Sequence, residues 1–147
     1  MVKTGNDVLD TILTEKSLAC KENNIVVSCV ADGKGLEFLH PIDLYTIFGN
    51  AMDNAIECVK NLQKQEKRQI DVLIHRQHQF LIVQIMNPIE EELEFEDNLP
   101  VTTKHDKAYH GYGLRSIKNS VKKYNGVFQV KIKDGCFCLK ILFPIKE

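Results

Sequence analysis

Asn50, Asp53, Asn54 and Glu57 recur at a spacing that puts two amides and two carboxylates on one side of a helix. Asparagine is a poor interior helix residue, roughly 0.5–0.7 kcal/mol worse than alanine. A face that only met water would be served by Lys, Glu or Gln, as at Gln63, Lys64, Gln65 and Glu66. Several oxygens in a line suit a hard cation such as Mg²⁺, which keeps most of its waters and takes one or two protein oxygens together with phosphates. An ordinary amphipathic helix with a solvated outer face is the other reading of the same pattern.

Further along, Gly111-Tyr112-Gly113-Leu114 opens a second helical pattern, continued by Ser116, Lys118 and Lys122 with Leu114, Ile117 and Val121 on its apolar side. Glycines admit close backbone approach, and a helix N-terminus offers free N–H groups at its positive dipole end. Phosphate binding is one use of such a segment; a simple turn is the other. The P-loop pattern G-x-x-x-x-G-K-[ST] is absent, and the dinucleotide fingerprint lacks its third glycine and its preceding strand.

These two segments need elements to hold them. Residues 7–22 read as a helix capped by Asn6, with Val8, Ile12, Leu18 and Ala19 as its apolar positions. Residues 25–30 read as a short strand and 42–65 as a long helix. In that helix Tyr45, Phe48, Met52, Ala55, Ile56 and Val59 lie opposite the polar line. Strands over 70–75 and 80–86 flank the turn Arg76-Gln77-His78-Gln79. The second helix should stop at Asn125-Gly126. Strands over 127–133 and 136–143 then form a hairpin across Asp134-Gly135. Phe128, Val130 and Ile132 alternate with polar neighbours, as do Phe137, Leu139 and Ile141, so one sheet face is buried. The expected fold is α/β: a two-layer sandwich with helices on one face of a mixed sheet.

Composition narrows the class. A chain of 147 residues is one domain's worth, so residues 1–147 read as a single unit. The net charge of −1 marks no nucleic-acid binder. The longest apolar run, over 80–86, is too short to span a bilayer. Five cysteines without C-x-x-C spacing argue for reduced thiols in a cytoplasmic setting, with Cys136 and Cys138 as same-face core thiols. Residues 88–110 lose periodicity, run acidic and lead into Gly111. That stretch reads as a lid over a bound ligand, or as a solvated acidic loop.

Taken in order, Asn50-x-x-x-Asn54-Ala on a helix, two strands, Asn87 at a strand end, a lid and Gly111-x-Gly113-Leu114 resemble the GHKL ATPase superfamily. The pattern is most similar to the catalytic and ATP-binding domain of bacterial sensor histidine kinases of the peptide-sensing, quorum type. The resemblance covers nearly the whole chain and implies a Bergerat-type ATP-binding fold. It implies that Asn54 coordinates the Mg²⁺ bridging the phosphates of ATP, with Asn50 one turn earlier near those phosphates. Backbone N–H groups of Gly111, Tyr112, Gly113 and Leu114 would cradle the triphosphate. Lys104 would neutralise phosphate charge, unless it is a solvated lysine. Asn87 stands where the wider family carries an aspartate that accepts from the adenine amino group; its carbonyl can accept the same bond without the charge assistance.

The implied activity is transfer of the γ-phosphoryl group to a histidine on a dimerising helical hairpin, followed by a response regulator downstream. No such hairpin is present, and His40, His75, His78, His105 and His110 lie outside any acceptor-like helix. The chain therefore reads as a soluble fragment on the cytoplasmic side of a membrane-anchored receptor. Two alternatives stay open: a serine kinase of the anti-sigma-antagonist type, and a degenerate interaction module without nucleotide. A gyrase-like or chaperone-like ATPase would need a glutamate where Asn50 stands, so efficient hydrolysis is not expected.

Overall fold

Asn6 opens α1 (Asp7–Glu22), its Oδ1 accepting the Leu9 amide at 3.0 Å. The computed structural model describes residues 2–90, 95–96, 99–100 and 107–145. The buried line of α1 is Leu9, Ile12, Leu13 and Cys20, whereas Leu18, expected inside, is exposed. Lys16 shares the line's helical phase and turns its amine toward the next helix. α1 ends on Asn24 at φ 56°, with the Ile25 amide reaching back to the Cys20 carbonyl at 2.8 Å. β1 (Val26–Ala31) follows.

The next helix is continuous but not uniform. His40 caps it by accepting the Ile42 amide on Nδ1, and Pro41 fills the first turn, where an N–H would have no partner. α2 (Pro41–Leu44) passes through a wider π-type turn at Tyr45–Gly49 into α3 (Asn50–Val59), with helical dihedrals at each junction. The wider turn carries an extra residue and rotates what precedes it relative to an ideal wheel. Tyr45 is therefore exposed rather than aligned with Phe48, Met52, Ala55 and Val59, which are buried. The helix stops at Val59 instead of running to 65. There the chain turns so that Leu62 enters the core, and Arg68 Nε takes up the Leu62 carbonyl at 2.8 Å.

The rest of the chain is β2 (Gln69–Gln77), β3 (Phe80–Pro88), short β4 (Phe95–Glu96) and β5 (Leu99–Pro100), α4 (Lys107–Lys122), β6 (Val127–Lys133) and β7 (Cys136–Pro144). The main sheet has the order β1-β2-β3-β7-β6, parallel between β1 and β2 and antiparallel elsewhere. β4 and β5 pair with each other. Asp134 and Gly135 both take positive φ, which turns β6 into β7 in two residues as expected. α1 packs over β1, α3 over β2 and β3, and α4 over β6, so all three lie on one face of the mixed sheet.

The pleat decides which side chains meet that helical layer. Cys29, Val72, Ile85, Leu139 and Val130 form one cross-strand row, and Ala31, Ile74, Val83, Ile141 and Phe128 the next. The same alternation sends Cys136 and Cys138 to the opposite face. They do share a face, but Cys136 is exposed and neither belongs to the core. Of the segment expected as a lid, residues 91–94, 97–98 and 101–106 lie outside the described residues.

α4 ends in a Schellman motif: the Gly126 amide bonds the Val121 carbonyl at 3.1 Å, and Asn125 takes the left-handed position at φ 57°. Glycine is needed one residue later, because a Cβ on Gly126 would come within 2.7 Å of Val121. Just before this stop, Lys123 Nζ reaches Asp43 Oδ1 at 2.9 Å and the Tyr124 hydroxyl donates to Asp43 Oδ2. The same hydroxyl accepts the His40 amide, and the Tyr124 ring meets Phe38 and Phe143 edge-on. Asp43 is only 5% exposed, so this is a polar pin between the start of α2 and the end of α4.

The bonds from Tyr124 and Lys123 hold the Asp43 carboxyl below its ordinary value of 3.8, so the charged form is the folded form. Its contribution to stability is complete above the unfolded pKa and drains away as pH falls through the lowered one. The urea midpoint of the parent chain should thus drop between about pH 5 and pH 2 by more than that of Asp43→Asn. Parallel acid limbs in the two proteins would contradict the role of this pin.

Candidate functional site

Asn50 begins α3 at the exit of the π-type turn, and its Nδ2 donates to the Thr46 carbonyl at 2.7 Å. That bond fixes the amide and leaves Oδ1 on the side facing α4. A Cβ on Gly113 would stand 3.5 Å from this oxygen, so Asn50 and the Gly113 backbone face each other across the gap between the two helices. With Lys123 and Tyr124 at Asp43, this contact makes α4 antiparallel to the α2–α3 helix.

Asn54 lies one turn after Asn50 on the same helical side and is 6% exposed. The two carboxylates expected on the same line both have lysine partners. Asp53 pairs with Lys16 of α1 at 2.8 Å, and Glu57 pairs with Lys60 at 2.5 Å. Asp53 is thereby drawn toward α1, whereas Glu57 stays on its own helix beside Lys60 and keeps the helical phase of Asn50 and Asn54.

Asn87 comes from the sheet. It continues the inward-facing row of Leu81, Val83 and Ile85 on β3, where another aliphatic residue would extend the core. It is 2% exposed. Its Nδ2 donates to the Pro88 carbonyl at 3.0 Å, and its Oδ1 has no donor among the described residues. A buried acceptor without a partner costs about 1–3 kcal/mol, more than a typical hydrogen bond returns. Such an atom is suited to accept from an amino group that enters from outside the chain.

Gly113 carries a second sign of this kind. It sits inside α4 with space for a Cβ at ordinary contact distance, so neither packing nor backbone angle requires glycine. Glycine in a helix interior costs about 1 kcal/mol relative to alanine. A glycine here leaves the backbone open to close approach by another group.

The helix itself differs from expectation. α4 begins at Lys107 rather than at Gly111, because Lys107-Ala108-Tyr109-His110 contains no helix breaker. The amides of Gly111, Tyr112, Gly113 and Leu114 thus follow the first four of the helix, whose N–H groups lack helical partners. Tyr112 is exposed and Leu114 fully buried, so Leu114 brings only its backbone to this side. Lys104 lies outside the described residues. Reading the sequence alone missed the pin at Asp43; the aromatic and charged residues at 38, 43, 123 and 124 are far apart in the chain and carry no local signal.

The donor set can be tested against a nucleotide and its cation. A buried acceptor at Asn87, amide oxygens on Asn50 and Asn54, and a glycine backbone at Gly113 fit a neutral amino heterocycle at one end and a hydrated metal–phosphate group at the other. Nothing in this set is basic enough to remove a proton from water.

A family profile for the GHKL domain matches residues 39–144. No curated protein matches the chain. Among solved structures, the catalytic domain of histidine kinase ThkA in a nucleotide-free form is similar at a TM-score of 0.69 and 17% identity, covering 94% of this chain and 91% of that one. A second nucleotide-free form of the same domain matches at 0.67 and 16%, covering 97% and 93%. The Acinetobacter baumannii histidine kinase AdeS matches at 0.64 and 13%, covering 96% of this chain and 64% of that one. At these identities the structures speak for the fold, which is that of histidine-kinase catalytic domains. The profile spans the helix bearing Asn50 and Asn54, the strand bearing Asn87 and the helix bearing Gly113, and the chain belongs to the GHKL domain family.

Proposed function

We propose that this chain is the ATP-binding catalytic domain of a sensor histidine kinase and holds Mg-ATP between α3, α4 and the end of β3. The observation that carries this reading is the buried Asn87 Oδ1, an acceptor without a donor among the described residues, at the place where an adenine amino group would enter. Asn54 would supply the protein oxygen for the Mg²⁺, Asn50 would border the phosphates, and the backbone from Gly111 to Leu114 would approach them. Bound nucleotide supplies the transferable γ-phosphoryl group; the chain's task is to position it and balance its charge. Lys104 would add a positive charge there.

Asn50 also argues against fast hydrolysis. Its amide is engaged with the Thr46 carbonyl and has no basicity, so a water molecule at this position would find no proton acceptor. A protein nucleophile is the better acceptor, and we assign it to a histidine on a dimerising helical hairpin, with a response regulator as the later recipient. A receptor of the peptide-sensing type, with this domain on the cytoplasmic side, is the setting this implies.

Calorimetric titration with Mg-ATP should give saturable binding. Asn87→Ala should weaken it by about tenfold, the worth of one well-placed hydrogen bond, without lowering the melting temperature. Unchanged affinity would sink the assignment of Asn87. Gly113→Ala should act in opposite directions on two readouts, adding up to about 1 kcal/mol to the unfolding free energy while lowering nucleotide affinity. Loss of stability, or affinity equal to the parent's, would show that the glycine serves the fold alone. Incubated with labelled ATP and no other protein, the chain should acquire no acid-labile phosphate. Stoichiometric labelling would place the acceptor within this domain.

A further inference from the structure

The sheet face turned away from the helices carries three sulfur atoms at the ends of two neighbouring strands. On β7, Cys136 and Cys138 are two residues apart, so both side chains leave the same side of the pleat. On β3, Met86 is the direct cross-strand partner of Cys138 and shares that side. Directly opposed residues of an antiparallel pair have Cβ atoms about 4.5–5.5 Å apart. The β3–β7 pairing runs unbroken from Phe80 opposite Pro144 to Pro88 opposite Cys136, so the register of all three sulfurs is fixed. Cys136 is exposed, and Met86 and Cys138 are partly so, which leaves the group open to an ion from solvent.

Lysines flank the two thiols. Lys131 is the β6 partner of Cys138, Lys133 is the β6 partner of Cys136, and Lys140 follows Cys138 on the same side of β7. The carboxylate of this row, Asp71, lies beyond Met86 on β2, where the Gln69 side chain donates to it at 3.1 Å. An anionic complex on the cysteines would thus meet positive charge on more than one side. A disulfide within the strand does not fit. Two residues of strand rise set the cysteines roughly 6.6 Å apart with their Cβ atoms side by side. A direct S–S bond needs Cβ atoms within about 3.5–4.5 Å. An ion between the sulfurs spans that difference, and side chains on a strand can lean along it.

We propose that Met86, Cys136 and Cys138 form a site for a soft monovalent cation, Cu(I), held by two thiolates and one thioether. Soft sulfur donors select such an ion over Mg²⁺. Structural zinc takes four ligands, and among the described residues no three His, Cys, Asp or Glu side chains group to hold a metal. Cu(I) is satisfied by two or three sulfurs. Binding releases one proton from each thiol to solvent, and the copper stays Cu(I) throughout. The complex then carries one net negative charge beside Lys131, Lys133 and Lys140. The site lies on the opposite side of β3 and β7 from Asn87, which follows Met86 in the chain and pairs with Phe137. It does not depend on the nucleotide reading.

The test titrates the reduced chain with Cu(I), in the absence of oxygen, against the chelator bicinchoninate. The parent should take one equivalent from the chelator with no change in sedimentation. Cys136→Ser with Cys138→Ser should lose that equivalent, and Cys58→Ala should keep it. Met86→Leu, which conserves volume, should keep the stoichiometry and the melting curve but raise the Kd more than tenfold. X-ray absorption at the copper edge should show three sulfur neighbours in the parent and two in Met86→Leu. Retention of the equivalent by the double serine variant would assign the copper to other thiols and overturn the proposal. Parent-like affinity in Met86→Leu would remove the thioether and do the same. A nitrogen or oxygen shell around the parent's copper, one ion shared by two chains, or displacement of Cu(I) by equimolar Zn²⁺ would each overturn it as well.

Discussion

The seam between the α2–α3 helix and the central strands is the contact on which the remaining geometry depends. Ala51, Met52, Ala55 and Val59 are buried on one side of it, and Val72, Ile74, Val83 and Ile85 on the other. Fully burying one such aliphatic side chain contributes roughly 1.5–3 kcal/mol, so this seam far outweighs any polar contact in the molecule. Once the helix is seated, its rotation is fixed. Asn50 and Asn54 must then face α4, and Asp53 must face α1, where Lys16 neutralises it. The ion pair is partly exposed and contributes little to stability by itself. Its effect is on composition, because it draws one of the two carboxylates away from α4.

Polar and conformational costs gather in one place. Asn87 interrupts an aliphatic row with an acceptor that lacks a donor, Asn54 is a buried amide in a helix, and Gly49 and Gly113 are helical glycines that packing does not require. Elsewhere most local signals agree with the fold, although His75 Nδ1 on β2 is a second buried atom without a partner among the described residues. Asn6 and His40 cap helices, Asn24 and Asn125 end them, and Asp134-Gly135 turns a hairpin. The amides and helical glycines that depart from local rules therefore mark the gap between the two helices as a candidate working region.

The pin at Asp43 has a different character. It joins two helix ends remote from Asn87 and fixes the C-terminal end of α4, while the glycines lie near the other end of the same helix. α4 is thus anchored by Asp43, and by Ile117 and Val121 in the core, on the side away from the proposed phosphates.

Much of this was legible in the residues. Alternation in β6 and β7, the cap at Asn6, the Asp-Gly turn and the polar line on α3 are local signals, set by backbone geometry and side-chain period within a few residues. The order of the asparagine and glycine segments was enough to place the chain near the GHKL family. Local signals could not show the π-type turn that exposes Tyr45 or the end of the helix at Val59. Each of these depends on which distant residue competes for the same space or the same hydrogen bond. The partners of Asp53, Asp43 and the Asn50 oxygen were settled by tertiary packing for the same reason: Lys16, Tyr124 and Gly113 come from other helices or from their ends, brought alongside only when all three helices bury their apolar sides on one sheet.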